Sequence, residues 1–180
     1  MSDKNLILTS TEHSDLRLRT IDENDIENLR NWKNANKNSF FLNHDITSEQ
    51  QKKWYQNFSS RQYDYMFIVE QKIEDGWEGI GCMGFRKLED EGCIDGYNII
   101  RAKKIEPASF TMSEAFQLML TYAASCYLDL PIRVKVLSGN PAVEWYQKNQ
   151  FSIISDEKDY YLMEINKDSL LNIHFIKNTK

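Results

Sequence analysis

Residues 140–151 read NPAVEWYQKNQF, and this stretch determines how the second half of the chain folds. An asparagine followed by proline is typical of a helix N-cap with proline at the first helical position, which predicts a short helix over residues 142–149. Asn149 is expected to take the left-handed conformation that ends many helices. Extended runs at 132–137 and 151–154 flank this helix, so the segment is predicted to be a strand, a helix and a strand.

A longer helix and a group of strands are predicted before this segment. Apolar residues recur at helical spacing from 111 to 127, and Thr111 and Glu114 have the spacing of a capping box. Upstream of that helix the period changes to alternation, with glycine-containing turns between the extended runs. An antiparallel meander of three strands is therefore predicted over residues 63–69, 80–85 and 92–100.

The start of the chain predicts two further helices. The sequence LRLRTI at 16–21 alternates apolar and polar side chains and meets Asp22, which suits a strand that runs into the N-cap of a helix over 23–34. Ser48 has a glutamine three residues later, which is the spacing of a second capping box and predicts a helix over 49–59.

The size and charge of the chain narrow its possible functions. With 180 residues, a single domain over 1–180 with one hydrophobic core is expected. A last extended run at 160–165 completes an α/β order with mixed strand directions. The net charge of −5 disfavours a surface for nucleic acid, which needs clustered lysine and arginine, and would suit a cationic amine.

Other classes of protein and site are also disfavoured. No apolar run approaches the length of a membrane span and the first residues lack the pattern of a secretory signal, so a cytoplasmic protein without membrane contact is expected. The cysteines and histidines are isolated from one another, so no metal site is expected. The three cysteines, which form no CxxC pair, are expected to be buried apolar side chains, at Cys82, Cys93 and Cys126.

Three local sequences resemble one family of enzymes. Residues 140–151 are similar to the A-x-x-x-Y-x-K-x-G-F run of the GNAT acetyltransferases. Residues 16–32 look like the opening strand and helix of its RimJ/RimL and amino-sugar branch, and residues 113–123 are similar to the helix after its diphosphate-binding loop. The resemblance covers about residues 15–165 and implies the α/β GNAT fold, a mixed central sheet of about seven strands flanked by about four helices.

The resemblance implies that the chain is an acyltransferase that moves an acetyl group from acetyl-coenzyme A, its cosubstrate, to a primary amine. A nucleotide-linked amino sugar is the expected acceptor, because residues 40–58 and the pair Gly96-Tyr97 look most like enzymes of the pseudaminic-acid type. Two alternatives remain open, a protein N-terminus as the acceptor and an inactive GNAT-fold module that binds a partner or an acyl ligand. The chain is expected to be a monomer or a homodimer.

The resemblance also implies residue roles on the side of acetyl-coenzyme A. Tyr146 is the expected general acid, because a phenol can protonate the departing thiolate. The backbone N–H groups of Ile99 and Ile100 are expected to hold the thioester carbonyl. The other residues expected to bind the cosubstrate are Arg101, Ser109, Phe110, Thr111, Met112, Ser113 and Asn140.

The diphosphate loop departs from the family pattern Q/R-x-x-G-x-G/A. The aligned segment 107–112 reads PASFTM, with Phe110 and Met112 in place of glycines. Glycine serves in such loops because backbone N–H groups must approach phosphate oxygens without an intervening Cβ. Side chains are expected to replace part of that geometry, the hydroxyls of Ser109, Thr111 and Ser113 and the charges of Arg101, Lys103 and Lys104.

On the acceptor side, the protonated amine must lose a proton before it can attack the thioester. Asp95, on the strand expected to line the cleft, is the predicted base, with Asp64 and Glu70 on the neighbouring strand as alternatives. Aromatic side chains can cover the faces of a sugar or a nucleobase. The residues expected to bind the acceptor are Phe41, His44, Tyr65 and Tyr97.

Overall fold

The computed structural model describes residues 5–170 and 174–179, and these residues form one mixed sheet with helices on both faces. The four α-helices are α1 (Ile26–Ala35), α2 (Ser48–Ser60), α3 (Met112–Cys126) and α4 (Ala142–Lys148). The nine strands are β1 (Leu6–Ser10), β2 (Leu16–Thr20), β3 (Asp64–Ile73), β4 (Gly76–Leu88), β5 (Cys93–Arg101), β6 (Ile132–Leu137), β7 (Phe151–Asp156), β8 (Tyr160–Ile165) and β9 (Phe175–Thr179).

The sheet is antiparallel except at one pair of neighbours. Its order is β7-β8-β6-β5-β4-β3-β2-β1-β9, and β5 and β6 are the parallel pair. Their pairing covers only Ile94 with Ile132 and Asp95 with Arg133, although both strands continue beyond these residues. The two strands therefore separate after Asp95, and the sheet opens between them.

A β-bulge interrupts β5 close to this opening. Gly84 of β4 pairs with Tyr97, but Cys82 pairs with Ile100, so β5 has one residue more than β4 over this interval. Asn98 takes a φ of 51°, a left-handed conformation that asparagine tolerates better than most residues. Because a bulge bends its strand, it redirects the end of β5 where the strand no longer has β6 beside it.

Both faces of the sheet are buried, and alternate residues of β3 show how. Phe67 and Val69 belong to the larger apolar cluster, which includes the buried face of α3, while Met66 and Ile68 belong to a second cluster with α1 and α2. Successive side chains of a strand point to opposite faces, so a strand covered on both sides needs apolar residues at consecutive positions.

The helix boundaries confirm some of the predicted caps and correct others. The capping box of Thr111 and Glu114 is present at the start of α3. The box at α2 uses Thr47 and Gln50, so the prediction that Ser48 is the N-cap was wrong by one residue. Asn149 is not left-handed, since Gln150 takes that conformation with a φ of 68°.

The sheet also has strands that the sequence analysis did not predict. β1 and β9 pair over five residues, from Leu6 with Thr179 to Ser10 with Phe175, and extend the sheet beyond β2. β9 belongs to the last fifteen residues, which lie outside the family resemblance. Cys126 is exposed, so the prediction that all three cysteines are buried was wrong for this one. Among the described residues, no helix is long and apolar enough to cross a membrane.

Candidate active site

A cavity of about 600 Å³ opens where β5 and β6 separate. Its walls come from α1, α2, the segment between them, the strands β3 to β6, Asn140 and α4. Aromatic and apolar side chains form much of the wall, among them Phe40, Phe41 and Trp54. A space of this size is in the range of pockets that bind small molecules.

Tyr146 of α4 lines the cavity and is 9% exposed. Its ring packs against Phe116, Trp145 and Phe151 in the larger apolar cluster, which fixes its orientation. Burial raises the pKa of the Tyr146 phenol, and the negative charge of Asp95 raises it further. The phenol therefore keeps its proton at neutral pH and can donate it only to a stronger base in the cavity.

Asp95 lines the same cavity from β5, at the last position where β5 pairs with β6. It is 6% exposed, and its Oδ2 accepts a hydrogen bond from Arg86 Nε at 2.9 Å and lies 2.8 Å from Arg86 Nη2 in an ion pair. Burial raises the pKa of Asp95, while the Arg86 guanidinium acts in the opposite direction. The carboxylate is thus in place beside Tyr146, and its proton affinity is higher than that of an exposed aspartate.

The alternative bases have structural partners. Glu70 accepts hydrogen bonds from Arg17 and Arg19 and does not line the cavity. Asp64 accepts a hydrogen bond from the hydroxyl of Tyr97 and forms an ion pair with Arg61 at 3.0 Å. Of the three carboxylates predicted as the base, Asp95 is therefore the one that lines the cavity.

Ile99 and Ile100 lie directly after the bulge and line the cavity where the strands separate. Asn140 lines it from the opposite side, and its Oδ1 accepts a hydrogen bond at 2.9 Å from the N–H of Ala142, the first residue of α4. The N-cap of α4 is Pro141, so the prediction of an asparagine N-cap was wrong by one residue. Tyr146 follows on the same helix. The predicted thioester-binding residues and the predicted acid thus border one opening.

The side chains that replace glycine in the diphosphate loop point into the protein. Phe110 is 7% exposed and Met112 is 9% exposed, and both belong to the larger apolar cluster. The prediction that these two residues bind the cosubstrate therefore concerns their backbone, since their side chains are buried. Their burial keeps bulky groups away from the outer face of the loop.

Two carboxylates already use the N–H and hydroxyl donors of this loop. Asp15 Oδ2 accepts a hydrogen bond from Ser109 N at 2.9 Å, and Glu114 Oε2 accepts one from Thr111 N at 2.7 Å. Burial raises the pKa of each carboxyl, but the hydrogen bonds from Ser109 and Thr111 outweigh it, so both pKa values are lowered. Both side chains are therefore negatively charged at neutral pH, beside the predicted diphosphate site.

The basic residues expected near the diphosphate have acidic neighbours. Lys103 pairs with Glu78, and Lys104 pairs with Glu106. Arg101 is exposed at the end of β5 and does not line the cavity. The hydroxyl of Ser113 accepts a hydrogen bond from Asn149 at 3.1 Å, so it ties α3 to the end of α4.

Three of the four residues predicted to bind the acceptor line the cavity. These are Phe41, His44 and Tyr97. Tyr65 does not line the cavity, because its ring stacks on Phe85 with centroids 4.9 Å apart against the larger apolar cluster. Tyr65 alternates with Met66 on β3, so it faces the side of the sheet opposite the cavity.

Three basic residues of the cavity were not found from the sequence, and they are Lys33, Arg86 and Lys135. Lys33 follows Trp32 on α1 and Arg86 lies near the end of β4. None of the three belongs to a motif, and a single basic residue on a helix or strand is usually solvated. Only the packing of α1 against the sheet places Lys33 at the cavity. Within the described part of the chain, no group of three histidine, cysteine or acidic residues could hold a metal ion.

A comparison with family models matches residues 15–151 to the acetyltransferase (GNAT) domain. The chain belongs to the GNAT family. A GNAT enzyme described as acting on a nucleotide-linked sugar, FdhC, has a similar structure, with a TM-score of 0.72, 17% identity and coverage of 89% of this chain and 92% of that one. No curated protein sequence matches the chain.

Two other solved structures have similar folds. Spermidine N-acetyltransferase from Vibrio cholerae, in complex with coenzyme A and spermine, has a TM-score of 0.70 at 20% identity and covers 88% of this chain and 99% of that one. A domain from Methanocaldococcus jannaschii has a TM-score of 0.70 at 15% identity and covers 84% of this chain and 97% of that one. At sequence identities of 15–20%, these similarities show a shared GNAT fold and do not extend to the substrate.

As a GNAT acyltransferase, the protein uses acetyl-coenzyme A. The residues at the gap between β5 and β6 fit the thioester end of acetyl-coenzyme A. Ile99, Ile100 and Tyr146 line this gap, and no strand fills it. The diphosphate of acetyl-coenzyme A fits the loop when the hydrogen bond between Ser109 N and Asp15 is broken. A phosphate and a carboxylate that share one donor would repel each other.

Proposed function

We propose that this GNAT enzyme acetylates a primary amine of a small molecule, a nucleotide-linked amino sugar being the acceptor that agrees best with the site. The observation that carries this proposal is the cavity of about 600 Å³, which is walled by Phe40, Phe41 and Trp54 and contains Asp95 and Tyr146. Flat aromatic rings suit the faces of a sugar or a nucleobase.

The residues of the cavity can divide the reaction among them. Acetyl-coenzyme A supplies the acyl group as a thioester. Asp95 takes a proton from the acceptor amine, directly or through water, because an ammonium cannot attack a carbonyl. The N–H groups near Ile99 and Ile100 donate to the carbonyl oxygen, a contact worth about 3 kcal/mol in comparable sites. Tyr146 gives its proton to the departing sulfur.

The same proposal covers the state of the protein. A single domain over 1–180 is supported by β9, which joins the far end of the chain to β1 in the same sheet. We propose that the protein acts in the cytoplasm as a monomer or homodimer and does not bind nucleic acid, in keeping with its net charge of −5. Light scattering measures the mass, and a mass above that of a dimer would contradict this.

The test is acetyl transfer measured by mass spectrometry with acetyl-coenzyme A, a set of amino sugars and amino-sugar nucleotides, and a set of peptides with free N-termini. The proposal expects acetylation of at least one small amine and a loss of about a hundredfold or more in kcat for Tyr146→Phe, with KM little changed. Acetylation of peptides alone would contradict it, as would full turnover by Tyr146→Phe on the true acceptor.

Calorimetry separates the enzyme from an inactive binding module. Acetyl-coenzyme A should bind to the isolated protein with a dissociation constant in the micromolar range. Absence of binding at the concentrations used in the transfer assay would favour the inactive module.

A further inference from the structure

Lys33, in the last turn of α1, lies in the cavity wall without an acidic partner. Its Nζ donates a hydrogen bond to Asn98 Oδ1 and lies 3.3 Å from the ring centroid of Phe40. No carboxylate of residues 5–170 and 174–179 forms an ion pair with it or affects its pKa, and burial lowers that pKa to about 8. By contrast, Arg19 of β2, which is half-buried, forms ion pairs with Asp25 and Glu70.

A partly buried ammonium without a counter-charge is costly, because the folded protein replaces its hydration shell with few partners. A lysine ammonium carries three N–H donors, and the hydrogen bond to Asn98 uses one of them. Such a group at the wall of a cavity has donors left for a ligand, and its charge favours an anion.

The charged side chains of the cavity lining are positive on balance. The lining contains three basic side chains, Lys33, Arg86 and Lys135, and one acidic side chain, Asp95, which is bonded to Arg86. The lining thus carries a formal charge of about +2 at neutral pH, or about +1 when Lys135 is counted together with Glu91, its ion-pair partner at 2.8 Å outside the lining. The protein as a whole has a net charge of −5. The expectation from overall charge, that the site suits a cationic amine, therefore does not describe the cavity.

We propose that the acceptor carries an anionic group, a phosphate or a carboxylate, besides the amine that is acetylated, and that Lys33 Nζ binds this group. The inference rests on the proposed function and names the substrate class. The anionic group lies between α1 and the bulge of β5, and the amine lies toward Asp95 and Tyr146. Polyamines are disfavoured as acceptors because each added ammonium would face Lys33 or Arg86.

The first test compares kcat/KM for matched amines, glucosamine against glucosamine 6-phosphate for phosphate and 3-aminopropanol against β-alanine for carboxylate. In each pair the amine with the anionic group should have the higher kcat/KM. Lys33→Met should lower that kcat/KM by about ten- to a hundredfold, while the kcat/KM of the amine without the anionic group changes by less than about threefold. Lys33→Arg should keep part of the preference. Lys53→Met, on the exposed face of α2, should behave as the wild type.

An equal loss on both members of a pair, or no loss on either, would overturn the proposal. Which pair shows the preference distinguishes phosphate from carboxylate. If neither anion is preferred and spermidine is acetylated faster than all four amines, the charge argument is wrong.

A second measurement does not depend on catalysis. In a titration with inorganic phosphate or with acetate, the side-chain amide resonances of Asn98 should shift in the wild type and in Lys53→Met but not in Lys33→Met. A Lys33-dependent shift in a protein that acetylates no amine would leave the anion site in place and refute the proposed function. The absence of any shift in the wild type with either anion would overturn the anion site, whatever the enzyme acetylates.

Discussion

The backbone N–H of Ser109 donates to Asp15 Oδ2 at 2.9 Å, so a carboxylate occupies a donor of the loop that the family uses for diphosphate. The hydroxyl of Ser109 donates to the other oxygen of Asp15. Asp15 lies just before β2, far from the loop in sequence, and the contact joins the turn before β2 to the loop before α3. A diphosphate bound here would meet this negative charge.

Asp15→Asn is therefore expected to bind acetyl-coenzyme A more tightly than the wild type. Removing one charge next to a diphosphate changes the interaction by about 1 kcal/mol even at the dielectric constant of water, which corresponds to about three- to tenfold in dissociation constant. Calorimetry checks this, with Asp75→Asn at the exposed β3-β4 turn as a control of equal charge change. An unchanged constant in Asp15→Asn would show that phosphate binds elsewhere.

Asp95→Asn should remove the acidic limb of the pH profile of kcat/KM. The base must be deprotonated, and burial raises the pKa of Asp95, so activity in the wild type should fall as the pH drops through a value above the ordinary 3.8. In Asp95→Asn the rate should be lower by about a hundredfold or more. Initial rates measured from acidic to neutral pH give both effects. If the acidic limb persists in Asp95→Asn, the titration belongs to another group.

The raised pKa of Asp95 also has a consequence for stability. The folded state holds this proton at a pH where the unfolded chain has lost it. The contribution of Asp95 to stability is therefore fully present below the unfolded value of 3.8 and is lost as the pH rises through the folded value. Urea unfolding at several pH values measures this effect as the free energy of unfolding of the wild type minus that of Asp95→Asn, which should fall as the pH rises.

Gly81→Ala should destabilise the protein and weaken acetyl-coenzyme A binding together. A Cβ at this position of β4 would lie 2.2 Å from the carbonyl oxygen of Ile100, a backbone atom of the cavity wall. The backbone of β5 must move, at a cost of about 1–3 kcal/mol in the free energy of unfolding. Gly79→Ala is the control, because its Cβ would meet a side-chain atom, Ile68 Cγ2, at 3.0 Å and no backbone atom of β5. Equal and small effects of the two changes would contradict the expectation.

Lys33→Met should stabilise the protein near neutral pH and lose that advantage in base. The pKa of Lys33 is 10.5 when exposed and about 8 in the folded state, so between these values the unfolded chain binds more protons. The wild type therefore gains stability relative to the variant as the pH rises through this window, by about 1–3 kcal/mol in total. Urea unfolding midpoints from pH near 7 to pH near 10 test whether the stability difference between Lys33→Met and the wild type shrinks with pH, with Lys53→Met as the control. A gap that widens with pH would refute it.

Local sequence determined the elements on which the site is built. The helix before Phe151, the capping box of Thr111 and the three-strand meander each depend on residues within a few positions of one another, and the structure confirms them. The same local patterns placed Tyr146 and Asp95 on α4 and β5, and both line the cavity.

Only the tertiary structure decided which charges meet. Lys33 reaches the bulge at Asn98 because α1 packs on that face of the sheet, and Asp15 reaches Ser109 across 94 positions of sequence. Tyr65 and Met66 are neighbours in the chain, yet only Met66 lines the cavity, because a strand sends successive side chains to opposite faces. Periodicity is a property of neighbours along the chain, whereas the pairing of charges depends on contacts between elements that are distant in it.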